Sequence, residues 1–178
     1  MNIFYTNSDP KICAQEHVDK HCVKMILEYA QLLSTAHRVI DGTQSIGLSK
    51  TGRKQTSYDL PDYRELKLYR ATHLNHPSAV WARASLANYN WLFQLFEELL
   101  GEYTYRYGKV HATQRLLEVL RQPPTNIANK PFTEPTPAMP DVYKVPGDSK
   151  KSYHTYINAD KQRMFSWKKR EKPEWIVL

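Results

Sequence analysis

Six side chains between Asp19 and Ile40 have types and spacing that suit chemistry. At about 100° per residue, His21, Lys24, Glu28, Gln31, Thr35 and Arg38 fall in one sector of a helix, opposite Cys22, Val23, Met25, Ile26, Tyr29, Ala30, Leu33 and Ala36. A single carboxylate, Glu28, among cations and polar groups suits a cleft that holds a phosphodiester backbone while the acid acts on sugar or base. The plainer alternative is a solvated face on which Lys24 and Glu28 form an i,i+4 ion pair worth a few tenths of a kcal/mol.

Other chemistry competes for neighbouring residues. Cys13, His17 and His21 follow one another at four-residue steps, and zinc takes Cys and His ligands at helical spacing. No further ligand pair closes a tetrahedral site, and Asp19 reads as a helix start between them, so neither metal nor cofactor is expected. His73, Asn75 and His76 precede Pro77, where a helix N-terminus directs free N–H groups at an anion; capping by Asn75 or His76 is the alternative. Nucleophile-elbow, P-loop and dinucleotide patterns are missing, which argues against a nucleotide cofactor.

The elements that must carry these residues read as helices. Ser8-Asp9-Pro10 opens the first, and the periodic stretch from Asp19 to Ile40 forms the second. A third runs from Pro77 to Tyr107, softly interrupted near Ser85 and stopped by Gly108; a shorter one spans His111 to Arg121. A last helix runs from Asp148 to the region of Lys169, capped by Asp148 or Ser149. Residues 41–62 read as a mobile polar loop, and residues 122–147, rich in proline, as an extended surface connection. The expectation is one all-α domain over residues 1–178, a bundle of about four or five helices with a short N-terminal extended segment.

The 178 residues carry 25 Lys+Arg against 18 Asp+Glu, a net charge of +7. Five of those seven surplus charges lie from Lys144 to Leu178, which holds nine basic and four acidic residues interleaved with Tyr153, Tyr156, Phe165, Trp167 and Trp175. Aromatics beside cations suit phosphates and unstacked bases, and equally suit a segment packing its rings inward with its lysines solvated. Two cysteines are too few for a disulfide framework. The chain has no apolar run of membrane-spanning length and starts without a signal-peptide pattern, so a cytoplasmic protein is expected.

The stretch from Asp19 to Glu28, with Asp and His two apart and Glu seven beyond the His, resembles the first long helix of phage pyrimidine-dimer DNA glycosylases of the endonuclease V type. Asn75-His76-Pro77 followed by Trp81 is similar to an element of proteins grouped with that family, and the aromatic, basic C-terminal segment is similar in character. The resemblance implies an all-α protein that bends duplex DNA, flips a pyrimidine nucleotide and cleaves its N-glycosidic bond. It implies Glu28 as catalytic carboxylate and His21 as its neighbour. The family's nucleophile is the α-amine of the mature N-terminal residue; here the chain departs, because Asn2 is large enough for Met1 to be retained, and Met1 is the candidate for that role. The N-terminus lies several residues further from the Asp-x-His element than in the family pattern, which leaves strand cleavage open. The loop at 41–62 and the proline-rich stretch have no counterpart.

The expected DNA contacts are Lys20, Lys24, Arg38, Arg70, His73, Asn75, His76, Arg83, Lys168, Lys169 and Arg170, with Arg106 and Lys109 as secondary candidates. The expected partner is double-stranded DNA, bound by a monomer in a bacterial host cytoplasm, with no membrane. Two other readings compete: a DNA-binding or host-interaction protein without chemistry, and a glycosidase or transferase acting on nucleotides or hypermodified bases.

Overall fold

The computed structural model describes residues 1–177. Asp9 starts helix α1 (Pro10–Glu16), its carboxylate accepting the N–H of Lys11 at 2.8 Å and of Ile12 at 3.3 Å, with Pro10 in the first turn. His17 and Val18 are extended and turn the chain into α2 (Asp19–Asp41). Val18, not Asp19, occupies the N-cap position, and no side chain caps it.

The centre of the molecule is α2 against α5 (Leu86–Tyr107), with α1 lying on α5. Met25, Ile26, Tyr29 and Leu33 meet Leu92, Leu95, Phe96 and Leu99 in one continuous core. Their three- and four-residue steps put them on facing stripes, and removing such stripes from water is the main drive for packing. The helix expected over 77–107 is two: α4 (Pro77–Ala82) ends before Ser85, whose hydroxyl accepts the Asn88 N–H at 3.1 Å and starts α5 afresh. Short α3 (Arg64–Lys67) and α6 (Leu117–Arg121), the latter following a 3-10 turn at Ala112–Leu116, pack around this centre. Residues 122–147 are extended apart from a 3-10 turn at Asp141–Tyr143.

The all-α expectation is overturned. Among the described residues there are seven α-helices, not four or five, and a two-stranded antiparallel sheet, which makes the fold an α/β mixture. The sheet is the segment read as a mobile polar loop: β1 (Thr43–Leu48) pairs with β2 (Lys54–Asp59) from Thr43↔Asp59 to Leu48↔Lys54. Every residue of β1 is exposed, so the alternation of apolar and polar residues that betrays a half-buried strand never arises. Gly52, at φ +76°, makes the turn, and Ser45 bonds across the ladder to Ser57 at 2.7 Å and Asp59 at 2.8 Å. Gly42 joins α2 to the hairpin where a Cβ would collide with the Arg38 carbonyl oxygen. The last helix, α7 (Ser149–Asp160), is capped by Asp148 and ends well before Lys169. Beyond a 3-10 turn at Gln162–Met164 the chain doubles back, because the Trp167 indole donates to the Glu16 carbonyl at 2.9 Å and Asp19 accepts from Ser166 and the Lys168 N–H.

Two buried arginines lock the connections. The Arg106 guanidinium, with no side-chain exposure, bonds Glu102 at 2.7 Å, Asp19 at 2.9 Å and the carbonyls of His17 and Gln15 at 2.8 Å each. Glu102 also accepts two bonds from Arg170, at 3.0 and 2.9 Å. Truncating a buried member of such a network leaves its partners desolvated and unpaired, at a cost of roughly 3–5 kcal/mol. Arg106→Leu is therefore expected to lower the urea midpoint sharply. Arg121→Leu, which removes the half-exposed pairs to Glu97 and Glu118, leaves it within error of wild type.

Candidate active site

The N-terminal six residues run through the protein rather than around it. Ile3, Phe4, Tyr5 and Thr6 are buried. The Phe4 N–H donates to the Tyr29 hydroxyl at 3.3 Å, and the Phe4 ring stacks on His21 with centroids 3.9 Å apart and planes 17° from parallel. Asn2 donates to the Ala138 carbonyl at 2.8 Å, and its own side-chain oxygen accepts from the Tyr153 hydroxyl at 2.7 Å. Held from α2, α7 and the proline-rich connection, the segment can end in only one place. The α-amine of Met1 lies 3.5 Å from Glu28 Oε2, and Lys24 Nζ lies 3.3 Å from Oε1. The Met1 side chain is 3% exposed and that of Glu28 11%.

The chain matches no family model, no curated protein and no solved structure. The site stands on its own geometry.

Met1 and Glu28 open into a cleft of about 380 Å³ whose walls include Phe4, His21, Lys20, Lys24, Tyr156 and Lys161. Among the described residues Glu28 is the one carboxylate in that lining, facing three lysines and an amine. Such a site attracts an anion and keeps a single group able to take a proton. An amine beside a carboxylate is a nucleophile with a proton acceptor next to it, the arrangement required to attack an electrophilic carbon.

His21 is neutral. Burial above all, then neighbouring His17 and the charges of Lys161 and Lys24, pushes its pKa down to about 3. His17 is pushed down to about 4, mainly by burial. Its Nδ1 lies 2.7 Å from the Cys13 carbonyl and must donate there, so Nε2 accepts the Tyr29 hydroxyl at 2.7 Å. The Cys13 thiol, raised to about 11 by burial, donates to the Phe4 carbonyl at 3.2 Å. Cys13, His17 and His21 thus turn to separate partners, and no group of three metal-ligating side chains converges among the described residues.

The structure brings Met1, His21, Glu28, Lys20 and Lys24 together and sends other candidates elsewhere. Asp19 of the Asp-x-His element faces Arg106 and the C-terminal segment and positions α2 instead of lining the cleft. Arg38 is buried, and all five of its N–H groups are committed to Tyr69, Tyr58, Leu68 and Glu65 within the protein, leaving none for a phosphate. Arg106 is wholly internal, whereas Lys109 is exposed. His76 caps α4 by accepting the Ser78 N–H at 3.1 Å. Its pKa is lowered first by burial and then by the Met1 amine, which places it beside the cleft. Arg70, His73 and Asn75 are exposed, with His73 at φ +49°. Arg83 is half-buried, and its Nη1 has no partner among the described residues.

Lys168 and Lys169 are exposed, resting over the rings of Tyr107 and Tyr105, while Arg170 is held by Glu102. The aromatic residues of that segment mostly pack inward. Trp175 stacks on His154 at 4.0 Å and Phe165 lies 5.3 Å from Trp167; Tyr156 alone of the five lines the cleft. The reading from sequence missed Phe4, Asn2, Tyr156 and Lys161. Lys161 belongs to the basic segment and was accessible to a charge count, but Phe4 carries no spacing signal because its partner lies on another element.

These buried neutral histidines predict an acid-labile fold. Unfolded histidine takes its proton near pH 6.5, whereas His17 and, by the same burial, His37 take theirs only near pH 4. Between these values the unfolded chain binds more protons, so the stabilisation is complete above about pH 6.5 and is lost as the pH falls toward 4. Thermal melting is expected to be flat from about pH 7 to 8 and to fall steeply between about pH 6 and 4.5, before carboxylates titrate; a flat profile across that range contradicts neutral burial.

Proposed function

We propose that the protein is a DNA glycosylase that removes a pyrimidine base, with the Met1 α-amine as nucleophile and Glu28 as its acid–base partner. The observation that carries the reading is the approach of that amine to 3.5 Å from the one carboxylate of a lysine-lined cleft. That distance is long for proton transfer, as is common before a substrate draws the groups together. The likeness of the segment from Asp19 to Glu28 to the first helix of pyrimidine-dimer glycosylases supports the same assignment.

The steps follow from the groups present. A target base inside a duplex is out of reach, so the nucleotide is flipped into the cleft, with Lys20, Lys24 and Lys161 against its phosphates. In its unprotonated form the amine nitrogen attacks C1′ as the glycosidic bond breaks, and the base departs with the bonding pair and takes a proton from water. Glu28 accepts the proton lost by the amine and offsets the positive charge that builds on the sugar. Ring opening gives an imine between Met1 and C1′. Removal of a C2′ proton then expels the 3′ phosphate and nicks the strand, and water releases the sugar fragment. His21, neutral and stacked on Phe4, contributes shape and a hydrogen-bonding nitrogen without adding charge. No described helix is long and apolar enough to cross a membrane; the proposed setting is cytoplasmic DNA, bound by a monomer.

The test uses ultraviolet-irradiated plasmid with the wild type and Glu28→Gln, the N-terminal residue of each preparation being read by mass. Wild type is expected to release base and nick, and borohydride to trap a covalent adduct on the N-terminal peptide. Glu28→Gln is expected to lose roughly 10²–10⁴ in base release while binding DNA within twofold of wild type. Equal loss of binding and activity makes Glu28 structural, and intact plasmid with no trapped adduct overturns the glycosylase reading.

A further inference from the structure

We propose that the β1–β2 hairpin is a second duplex-DNA contact, a ribbon that enters a groove some distance from the cleft; this rests on the duplex-binding part of the reading above. Two isolated strands are marginally stable, and these bury almost nothing on either face. The free end of the ribbon is one-sided in charge: Lys50, Arg53 and Lys54 are all exposed at or beside the turn, and the one acidic residue of the two strands, Asp59, lies at the ribbon's base, where it accepts from Ser45. The exposed hydroxyls of Thr43 and Thr56 supply phosphate donors, while those of Ser45, Ser57, Ser49 and Thr51 bond within the ribbon and hold its shape. Ile46 and Leu48, 68% and 73% exposed, share the face that carries Lys54 and offer apolar contact to base edges. A two-stranded ribbon is of a width that the major groove, about 12 Å across, admits.

Placement favours DNA as the occupant over another protein. Segment 70–76 runs back along α2 from the ribbon to the cleft. Arg70 and Ala71 form a groove with residues 55–59 of the ribbon, Thr72 bonds Thr35 on α2 at 3.2 Å, and His76 caps α4, which packs on α2. Exposed Arg70, His73 and Asn75 therefore line a polar path joining the two sites. Glu28 and Gly42 are separated along α2 by about 20 Å at 1.5 Å per residue. That is roughly six base pairs at 3.4 Å each, so one duplex can lie across both.

The experiment compares wild type with Lys50→Ser/Arg53→Ser/Lys54→Ser, whose three side chains are exposed; an unchanged urea midpoint certifies the fold. Binding to an undamaged 24-base-pair duplex is measured across a salt series, and the complex is footprinted with hydroxyl radicals. The triple variant is expected to lose about two to three from the slope of log K against log salt, bind at least tenfold more weakly at low salt, and lose protection at one side of the footprint. An unchanged slope and footprint overturns the proposal, as does a wild type that binds no duplex or that prefers a protein or a structured RNA through these residues. If the slope falls as expected while no base is released from damaged DNA, the glycosylase reading alone fails and the ribbon contact stands.

Discussion

Arg106 is the constraint on which the rest of the molecule depends. Its guanidinium holds two carboxylates and two carbonyls from α1 and its exit, the start of α2 and α5, and of these α2 lines the cleft. By fixing Asp19 it sets where α2 begins, and hence where His21, Lys24 and Glu28 stand. Asp19 in turn accepts from Ser166 and from the Lys168 N–H, which draws in the segment just after Lys161. Glu102 extends the same network to Arg170. Desolvating so many charges is tolerated because each nitrogen of the guanidinium and each carboxylate oxygen has a partner, and the arrangement specifies one geometry more than it adds net stability.

A second network does for the far end of α2 what Arg106 does for the near end. Arg38 gathers the carbonyls of Tyr58, Glu65, Leu68 and Tyr69, while Asp41 pairs with Arg64 and accepts the N–H groups of Thr125 and Asn126. The two networks lie at opposite ends of a helix of 23 residues whose middle supplies the catalytic candidate. Rigid ends and a polar middle are what a site needs when its groups must stay within a fraction of an ångström of a reacting geometry. The uncharged His17–Tyr29–Phe4 chain adds to this, because it seats the N-terminal segment through directed hydrogen bonds without a charge that would compete with Glu28.

How much of this was legible in the sequence divides along physical lines. Helix starts at Asp9, Pro77 and Asp148 rest on local capping and could be read. So could the span of α2, whose apolar period is strong. The hairpin could not, because strands exposed on both faces leave no pattern, and α3 is too short for one to develop; α4 and α6 fall within the longer helices read over 77–107 and 111–121. Within the site, Glu28 and Lys24 were visible as neighbours on one helix. The fate of Arg38 was not: its position on the polar face promised solvent, whereas the chain between Tyr58 and Tyr69 folds over it and presents carbonyls. Phe4 and Lys161 reach the cleft from opposite ends of the chain, a proximity that only tertiary packing creates.

The enclosure of Met1 has a consequence for how the polypeptide is made. Its side chain is packed against the core while its amine faces the cleft and pairs with Glu28. Any residue placed ahead of it, whether an affinity handle or an unremoved leader, would have to leave through the mouth of the cleft across Glu28. A chain extended ahead of Met1 would therefore fill its own cleft, and trimming the extension back to Met1 would reopen it.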